Sequence, residues 1–145
     1  MVPADPTGME TELARLAGPG GRVIAPDVQR KMLESLKGRL VKASLSNRVD
    51  LRLVGPDSLE LESVTGRVDF VFAFAVVHEL PSPDAFFRQA AQCLKPGGDL
   101  LLAEPSGHVA PDRFTGELAS AGRVGLRVAG VPRIRLCHAA LLRRS

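Results

Sequence analysis

An uninterrupted apolar run marks the middle of the chain. Residues 68–77 read VDFVFAFAVV, a mixture of β-branched, aromatic and small side chains with one acid near its start. Apolar and polar residues do not alternate along this run, as they would in a strand with one solvated face. The pattern therefore predicts a central strand of a parallel sheet, covered on both faces.

The segment after this strand carries the signals of a helix. Ser82, Pro83 and Asp84 supply an N-cap, a first-turn proline and an early acid. Apolar residues then recur at spacings of three and four, which gives a helix one apolar face. They are Phe86, Phe87, Ala90, Ala91 and Leu94. Residues 95–98 (KPGG) end the helix, because proline cannot continue it and glycine tolerates positive φ.

A second apolar run follows these glycines. Residues 99–104 (DLLLAE) predict another buried strand. A strand, a crossover helix and a strand of these lengths form a βαβ unit with parallel strands, and such units are right-handed in nearly all proteins. The middle of the chain thus predicts an α/β fold.

Weaker patterns lie on both sides of this unit. Residues 22–25 predict a short strand that leads into Asp27 and then into an amphipathic helix over residues 28–40. Residues 49–54 alternate, as expected for a half-exposed edge strand.

The segment after the βαβ unit predicts one helix and two strands. Pro111 opens the helix and Gly122 closes it. Residues 126–130 and 134–142 then predict two strands, and the short turn between them favours an antiparallel hairpin.

Three of these segments resemble the class I methyltransferases that use S-adenosylmethionine. Residues 70–78 resemble the fourth strand of that family, residues 100–104 resemble its fifth strand, and the turn Leu94-Lys95-Pro96-Gly97-Gly98 recurs at this position across the family. The resemblance runs from about Leu13 to the C-terminus. It implies a single domain over residues 1–145, with a doubly wound, mostly parallel sheet, helices on both faces and an antiparallel C-terminal hairpin.

The resemblance also implies a set of cofactor-binding residues. Asp27 corresponds to the acid that accepts hydrogen bonds from both ribose hydroxyls at the end of the second strand. Asp57 corresponds to the acid that meets the adenine amino group, although Pro56 here stands between it and the preceding glycine. Ala75 lies beside the expected place of the methionine moiety. Gly8 resembles what is left of the glycine-rich turn that contacts the cofactor.

The N-terminal segment departs from the family pattern. Family members begin with a strand and a GxGxG turn, whereas residues 1–5 are short and proline-rich and only Gly8 represents the turn. The family places its first strand in the middle of the sheet, between the second and fourth strands. Its absence leaves two expectations: those strands pair with each other, or a second copy of the chain completes the sheet as a homodimer.

Two residues at the end of the first apolar run are the candidates for catalysis. His78 is a candidate to take a proton from a nucleophilic substrate, because the side chain of histidine in water titrates near neutral pH, and Glu79 follows it. Ligands of open α/β sheets bind beyond the carboxyl ends of the strands, which is where this pair lies. The alternative for His78 is a histidine that hydrogen-bonds the backbone, and the alternative for Glu79 is a loop-orienting role. Glu104 either lines the same cleft or is a surface carboxylate.

Length and composition are those of an ordinary globular domain. The 145 residues suit one domain, the longest apolar run is too short to span a bilayer, and no secretory signal is visible. A cytoplasmic protein without a membrane partner is therefore expected. Cys93 and Cys137 predict two buried thiols, and the three histidines lack the spacing of a metal site.

The positive charges are unevenly distributed along the chain. The net charge is +3, and only arginines carry charge after Glu117. They are Arg123, Arg127, Arg133, Arg135, Arg143 and Arg144. Such a run meets phosphate or an acidic partner, or it forms a solvated face. No aromatic residues interleave it, so nucleic acid is not expected as a partner.

Three functions are consistent with the sequence. The first is an S-adenosylmethionine-dependent methyltransferase that acts on an unidentified small-molecule acceptor. The second is a degenerate, cofactor-free homologue that serves as a subunit or a regulatory binding module. The third is an α/β module that binds another ligand and shares only the fold. The motifs favour the first function, and the absent glycine turn favours the second.

Overall fold

A computed structural model of the chain describes residues 20–21, 23–27, 30–53 and 58–145. The chain divides into two compact units, Met1–Gly55 and Pro56–Ser145. The single domain predicted over residues 1–145 stays a prediction.

The first unit contains a parallel βαβ arrangement. Strand β1 (Val23–Asp27) and strand β2 (Val49–Leu53) pair in parallel and are connected by helix α1 (Arg30–Lys42). A short 3₁₀ turn, Ser46–Arg48, precedes β2. The apolar face predicted for the helix is buried through Leu33, Leu36 and Leu40. The strand, acid and helix predicted around Asp27 are therefore present, with Asp27 as the last residue of β1.

The second unit contains a four-stranded mixed sheet and two helices. In chain order its elements are β3 (Val68–Phe74), α2 (Pro83–Cys93), β4 (Leu94–Pro105), α3 (Pro111–Arg123), β5 (Leu126–Gly130) and β6 (Cys137–Arg144). The strand order is β3-β4-β6-β5, with β3 and β4 parallel and β6 antiparallel to both neighbours. The α/β class, the parallel pairing and the antiparallel C-terminal hairpin are confirmed.

The βαβ unit at the centre of this sheet follows the sequence signals closely. Ser82 caps α2, since its hydroxyl accepts a hydrogen bond from the Ala85 N–H at 3.1 Å, and Pro83 occupies the first turn. All five residues of the predicted apolar stripe are buried. Asp84 ties α2 to α3 by accepting hydrogen bonds from Ser120 and Arg123, and these bonds lower the pKa of Asp84 below its ordinary value.

Strand β3 lies at one edge of the four-stranded sheet. Its partner among the described strands is β4, and no described strand pairs with its other side. Val71 and Ala73 are nevertheless fully buried, in agreement with the continuous apolar pattern. The central position predicted for this strand is therefore not seen within its own sheet. The sequence placed it between two partners, and the described part of the chain supplies one.

Two glycines near the start of β4, Gly97 and Gly98, have a steric explanation. Gly97 has φ of 79°, a region that favours glycine. A Cβ on Gly98 would lie 2.9 Å from the Lys95 carbonyl oxygen and 3.2 Å from that of Asp69. Gly98 is thus needed because two backbone oxygens lie close to the position that a Cβ atom would occupy.

Three boundaries differ from the sequence prediction. Helix α2 ends at Cys93 and strand β4 begins at Leu94, so residues 95–98 lie within the strand instead of before it. Strand β3 ends at Phe74 rather than at residue 77, because Ala75 takes φ of 55° and turns the chain. Strand β6 begins at Cys137, so the loop before it spans residues 131–136 instead of a tight turn.

No helix in the described ranges is long and apolar enough to cross a membrane. The cytoplasmic location stays a prediction.

We expect Gly98→Ala to destabilise the chain by about 1–3 kcal/mol, since the added methyl group meets backbone oxygens that cannot move aside cheaply. Urea unfolding followed by circular dichroism measures the loss. The matched control is Gly116→Ala, because Gly116 lies within α3 with open space at the Cβ position. That change should stabilise by about 0.5–1 kcal/mol. Equal effects of the two substitutions would contradict the steric role of Gly98.

Candidate functional site

The chemistry-bearing side chains of the second unit gather at one edge of its sheet. Strands β3, β4 and β5 run in the same direction, so their carboxyl ends share that edge. The segments that leave these strands are residues 75–82, 106–110 and 131–136. In open α/β sheets this edge is the usual place for ligands.

The exit from β3 is a backbone turn with an unusual residue. Ala75 lies in the left-handed region with φ of 55°, and its N–H donates to the Ala103 carbonyl at 2.8 Å. A residue with a Cβ rarely adopts this conformation, and such residues concentrate at functional sites. The turn leads directly into a short 3₁₀ segment, Val77–Glu79.

Glu104 is the acceptor that holds this segment in place. The carboxylate is fully buried at the end of β4 and accepts three hydrogen bonds. The donors are His78 Nδ1 at 2.8 Å, the His78 backbone N–H at 3.2 Å and the Val77 N–H at 3.3 Å. The surface alternative for Glu104 is therefore wrong, because none of its side chain reaches solvent.

This arrangement selects one tautomer of His78. An ionised carboxylate can only accept hydrogen bonds, so the proton of a neutral imidazole lies on Nδ1 and Nε2 keeps its lone pair. Nε2 lies 3.9 Å from Glu79 Oε1, and the His78 side chain is 15% exposed. A histidine oriented by a buried carboxylate through Nδ1 is suited to accept a proton at Nε2.

Two further residues fix the position of His78. Arg113, on α3, donates to the His78 carbonyl oxygen at 2.7 Å. The ring of His108 stacks on the His78 ring with a centroid separation of 6.2 Å. Contacts from β4, α3 and the loop after β4 thus hold His78 on three sides.

A second buried acid, Glu117, lies on α3 close to Glu104. It is 3% exposed, and neither carboxyl oxygen has a hydrogen-bond partner that meets normal geometry within the described part of the chain. Burial and, to a smaller extent, the neighbouring charge of Glu104 together raise the pKa of Glu117 to about 7, while the charge of Arg113 opposes the shift. An acid in this setting is protonated at mildly acidic pH.

An open groove adjoins this cluster on the side of β6. Its volume is about 580 Å³, and residues 131–135 and 137–139 line it together with Phe114. His138 is the register partner of Glu104, so the two side chains share a face of the sheet. His138 Nε2 contacts the Val109 carbonyl at 3.0 Å, and its ring lies 5.4 Å from that of Phe114. Burial and the charge of Glu104 raise the pKa of the Cys137 thiol.

The structure brings together some of the predicted site residues. Ala75 and His78 lie three residues apart at the carboxyl end of β3, and Glu79 beside them has a side chain that is 72% exposed. Asp27 ends β1 in the first unit, and its side-chain position is not described. Gly8 and Asp57 lie outside the described residues. The described residues contain no cluster of acids, histidines and cysteines that could hold a metal ion.

Sequence reasoning missed Glu117 and Arg113. The signal for Glu117 was present in the pattern of α3, where Phe114, Glu117 and Ala121 occupy one buried face. An acid at an apolar position of a helix indicates a buried carboxyl group. The role of Arg113 carried no such signal, because its contact depends on the path of a distant turn.

Comparisons with known proteins agree on one family. The model of a family described as a methyltransferase domain matches residues 6–102. A ubiquinone/menaquinone biosynthesis C-methyltransferase, UbiE, of Pseudomonas putida is 28% identical over 96 residues, which are 66% of this chain and 37% of that protein. A ubiquinone biosynthesis O-methyltransferase of Xanthomonas oryzae pv. oryzae is 33% identical over 95 residues, with the same two coverages. The chain thus spans about 37% of the length of these curated relatives.

The fold has a close counterpart among solved structures. The crystal structure of a SAM-dependent methyltransferase from Aquifex aeolicus superposes with a TM-score of 0.85 and 22% sequence identity. The match covers 99% of this chain and 80% of that one. At this level of identity the likeness shows the fold.

We expect Glu117→Gln to change how stability depends on pH. The folded chain keeps a proton on Glu117 up to pH about 7, whereas the unfolded chain releases it near 4.5. Because the folded state binds more protons in this window, its stability falls as pH rises from about 4.5 through 7, by at most about 3 kcal/mol from this group. Glutamine cannot titrate, so the variant should lose this part of the decline in the unfolding free energy between pH 5 and pH 8.

The control for this measurement is Asp112→Asn. Asp112 is an exposed acid on the same helix, so its removal should leave the decline in place. Parallel pH curves for wild type and Glu117→Gln would contradict a proton held by the buried acid.

Proposed function

The chain belongs to the class I S-adenosylmethionine-dependent methyltransferase family, and we propose that it transfers a methyl group from that cofactor to a small-molecule acceptor. The Glu104–His78 pair supports the chemical part of this proposal. It places an oriented imidazole at the carboxyl edge of the sheet. A fold alone does not specify a reaction, whereas these two side chains indicate proton abstraction.

The residues at the strand ends suit the cofactor chemically. Asp27 stands at the carboxyl end of a parallel strand, and a carboxylate there can accept hydrogen bonds from a ribose diol. Ala75 turns the chain at the end of β3, where its φ is 55°. When bound, S-adenosylmethionine supplies an electrophilic methyl group. The protein then needs mainly to position the acceptor and remove its proton.

His78 is proposed as the base that takes this proton. Nε2 accepts the proton that the nucleophilic atom of the acceptor releases, and the buried carboxylate of Glu104 stabilises the imidazolium through Nδ1. General base catalysis of this kind contributes about 10²- to 10⁴-fold to a rate. Glu79 remains a candidate for catalysis beside His78, with orientation of the loop as the alternative, since its exposed carboxylate lies 3.9 Å from Nε2.

The relatives leave the nucleophilic atom of the acceptor open. One is named as a C-methyltransferase and the other as an O-methyltransferase. Carbon and oxygen nucleophiles both gain reactivity when a proton is lost, so the same base serves either reaction. The proposal therefore extends to acceptors with an acidic hydroxyl or an activated carbon.

A homodimer is proposed as the partner of this chain. The supporting feature is the side of β3 that no described strand pairs with, because free strand edges recruit further strands. Light scattering coupled to size-exclusion chromatography should then give twice the mass of the 15.5 kDa chain. A monomeric mass across a hundredfold range of concentration would contradict the dimer.

Titration of S-adenosylmethionine and S-adenosylhomocysteine by calorimetry tests the proposed function. We expect saturable binding to the wild type and binding weakened about tenfold or more in Asp27→Ala, since the ribose loses two hydrogen bonds to a charged group. The matched control is His78→Gln, which should bind the cofactor like the wild type because its proposed role concerns the acceptor. A specific ligand also raises the thermal stability of the folded chain.

Two results would contradict the proposal. Absence of both heat and thermal shift at millimolar cofactor would favour the cofactor-free homologue that acts as a subunit or regulator. Binding that Asp27→Ala leaves unchanged would show that the cofactor lies elsewhere.

A further inference from the structure

Five of the six arginines that follow Glu117 fall into two groups in the structure, and the sixth, Arg127, is exposed on β5. Arg123 pairs with Asp84 at 2.8 Å, Arg143 pairs with Asp99 at 2.8 Å, and Arg144 donates to the Leu94 carbonyl. Arg133 and Arg135 are exposed on the loop between β5 and β6, and neither has an ion-pair partner among the described residues. Both line the groove beside β6. The first group stabilises the fold, and the second is available to a ligand.

The rest of the groove is largely apolar. Val131 and Ile134 lie on the same loop, and Val131 is 75% exposed. Phe114 contributes an aromatic ring from α3. None of the described residues that line the groove is an acid. Its volume of about 580 Å³ falls within the usual range of small-molecule sites. Two unpaired guanidinium groups over an apolar surface are complementary to a molecule with an apolar body and an anionic group.

The groove belongs to the same edge of the sheet as His78. His138 lines it and pairs in register with Glu104, which in turn binds His78 Nδ1. The loop is fixed to the segment after β4, because the Ser106 N–H and hydroxyl both donate to the Leu136 carbonyl, at 2.9 and 3.0 Å. A molecule held in the groove therefore lies at the same edge of the sheet as the proposed base.

We propose that this groove binds the methyl acceptor, and that the acceptor is a small molecule with an apolar body and an anionic group held by Arg133 and Arg135. This inference rests on the proposed function only in identifying the bound molecule as the methyl acceptor. The selectivity of the groove for an apolar anion is a property of the described residues alone. It goes beyond the family, which leaves the acceptor open.

Calorimetric titration of three probes tests the proposal on the intact chain. The probes are 4-phenylbutyrate, its neutral isostere 4-phenylbutyramide, and inorganic phosphate. We expect 4-phenylbutyrate to bind about tenfold more tightly than the amide, because only the carboxylate accepts charge-assisted hydrogen bonds from arginine. Inorganic phosphate should bind more weakly than 4-phenylbutyrate, since it has no apolar body to bury.

Single substitutions assign the binding to the groove. Arg133→Gln and Arg135→Gln should each weaken 4-phenylbutyrate binding about fivefold and leave the amide unaffected. The control is Arg127→Gln, which removes one positive charge from an exposed position on β5 outside the groove. Val131→Asn tests the apolar lining at an exposed position and should weaken both organic probes.

Several outcomes would overturn the inference. The first is that 4-phenylbutyrate and its amide bind equally tightly, and the second is that Arg127→Gln weakens binding as much as the groove variants do. The others are that inorganic phosphate binds more tightly than 4-phenylbutyrate, or that no probe binds. The cofactor titration separates this inference from the proposed function. Cofactor binding without probe binding would overturn only the acceptor class, whereas probe binding without cofactor binding would leave an apolar-anion site in a chain that does not transfer methyl groups.

Discussion

A carboxylate can be buried only where donors replace the water that it loses, and the candidate site is built around one group that meets this requirement. Glu104 is fully buried and accepts hydrogen bonds from two backbone N–H groups and from an imidazole. The donors come from the turn after β3, so satisfying this charge also fixes the turn and the tautomer of His78. Removing Glu104 would release the turn and the ring together. The geometry of the base is therefore a consequence of desolvation at the end of β4.

The parts of the fold that were predictable from sequence are those that short-range signals specify. The cap at Ser82 and the apolar stripe of α2 each depend on neighbours in the chain, and both are present, whereas the turn predicted at residues 95–98 is part of β4. The role of Glu104 was not predictable, because an acid at a strand end has the same sequence signature whether it is buried or solvated. Its burial depends on α3 and on the turn at Val77, which are distant in sequence. Residues 131–136 show the same limit, since Leu136 takes φ of 61° and lengthens a loop that the pattern suggested was tight.

Charge in this chain has several structural roles that composition does not separate. The arginines after Glu117 cannot be told apart in the sequence. In the structure, however, Arg123 pairs with an acid on another helix and Arg143 pairs with an acid on a neighbouring strand. Arg133 and Arg135 lack such partners in the part of the chain described, and they stand over an apolar groove. Charges that stabilise a fold are already neutralised, so they attract ligands weakly. Net charge therefore indicates a binding surface only after the charged residues that pair within the fold have been set aside.

The position of β6 has a consequence for how the site is assembled during synthesis. This strand is the last of the described elements to be made, but it lies between β4 and β5, which are made earlier. Strand β5 has no place in the sheet until β6 has inserted, and β4 exposes an unpaired edge until then. His138, which shares a face with Glu104, arrives with the inserted strand. A ribosome-bound chain that stops before residue 137 would therefore carry His78 and Glu104 on an incomplete sheet, so the groove can form only after translation has passed this strand.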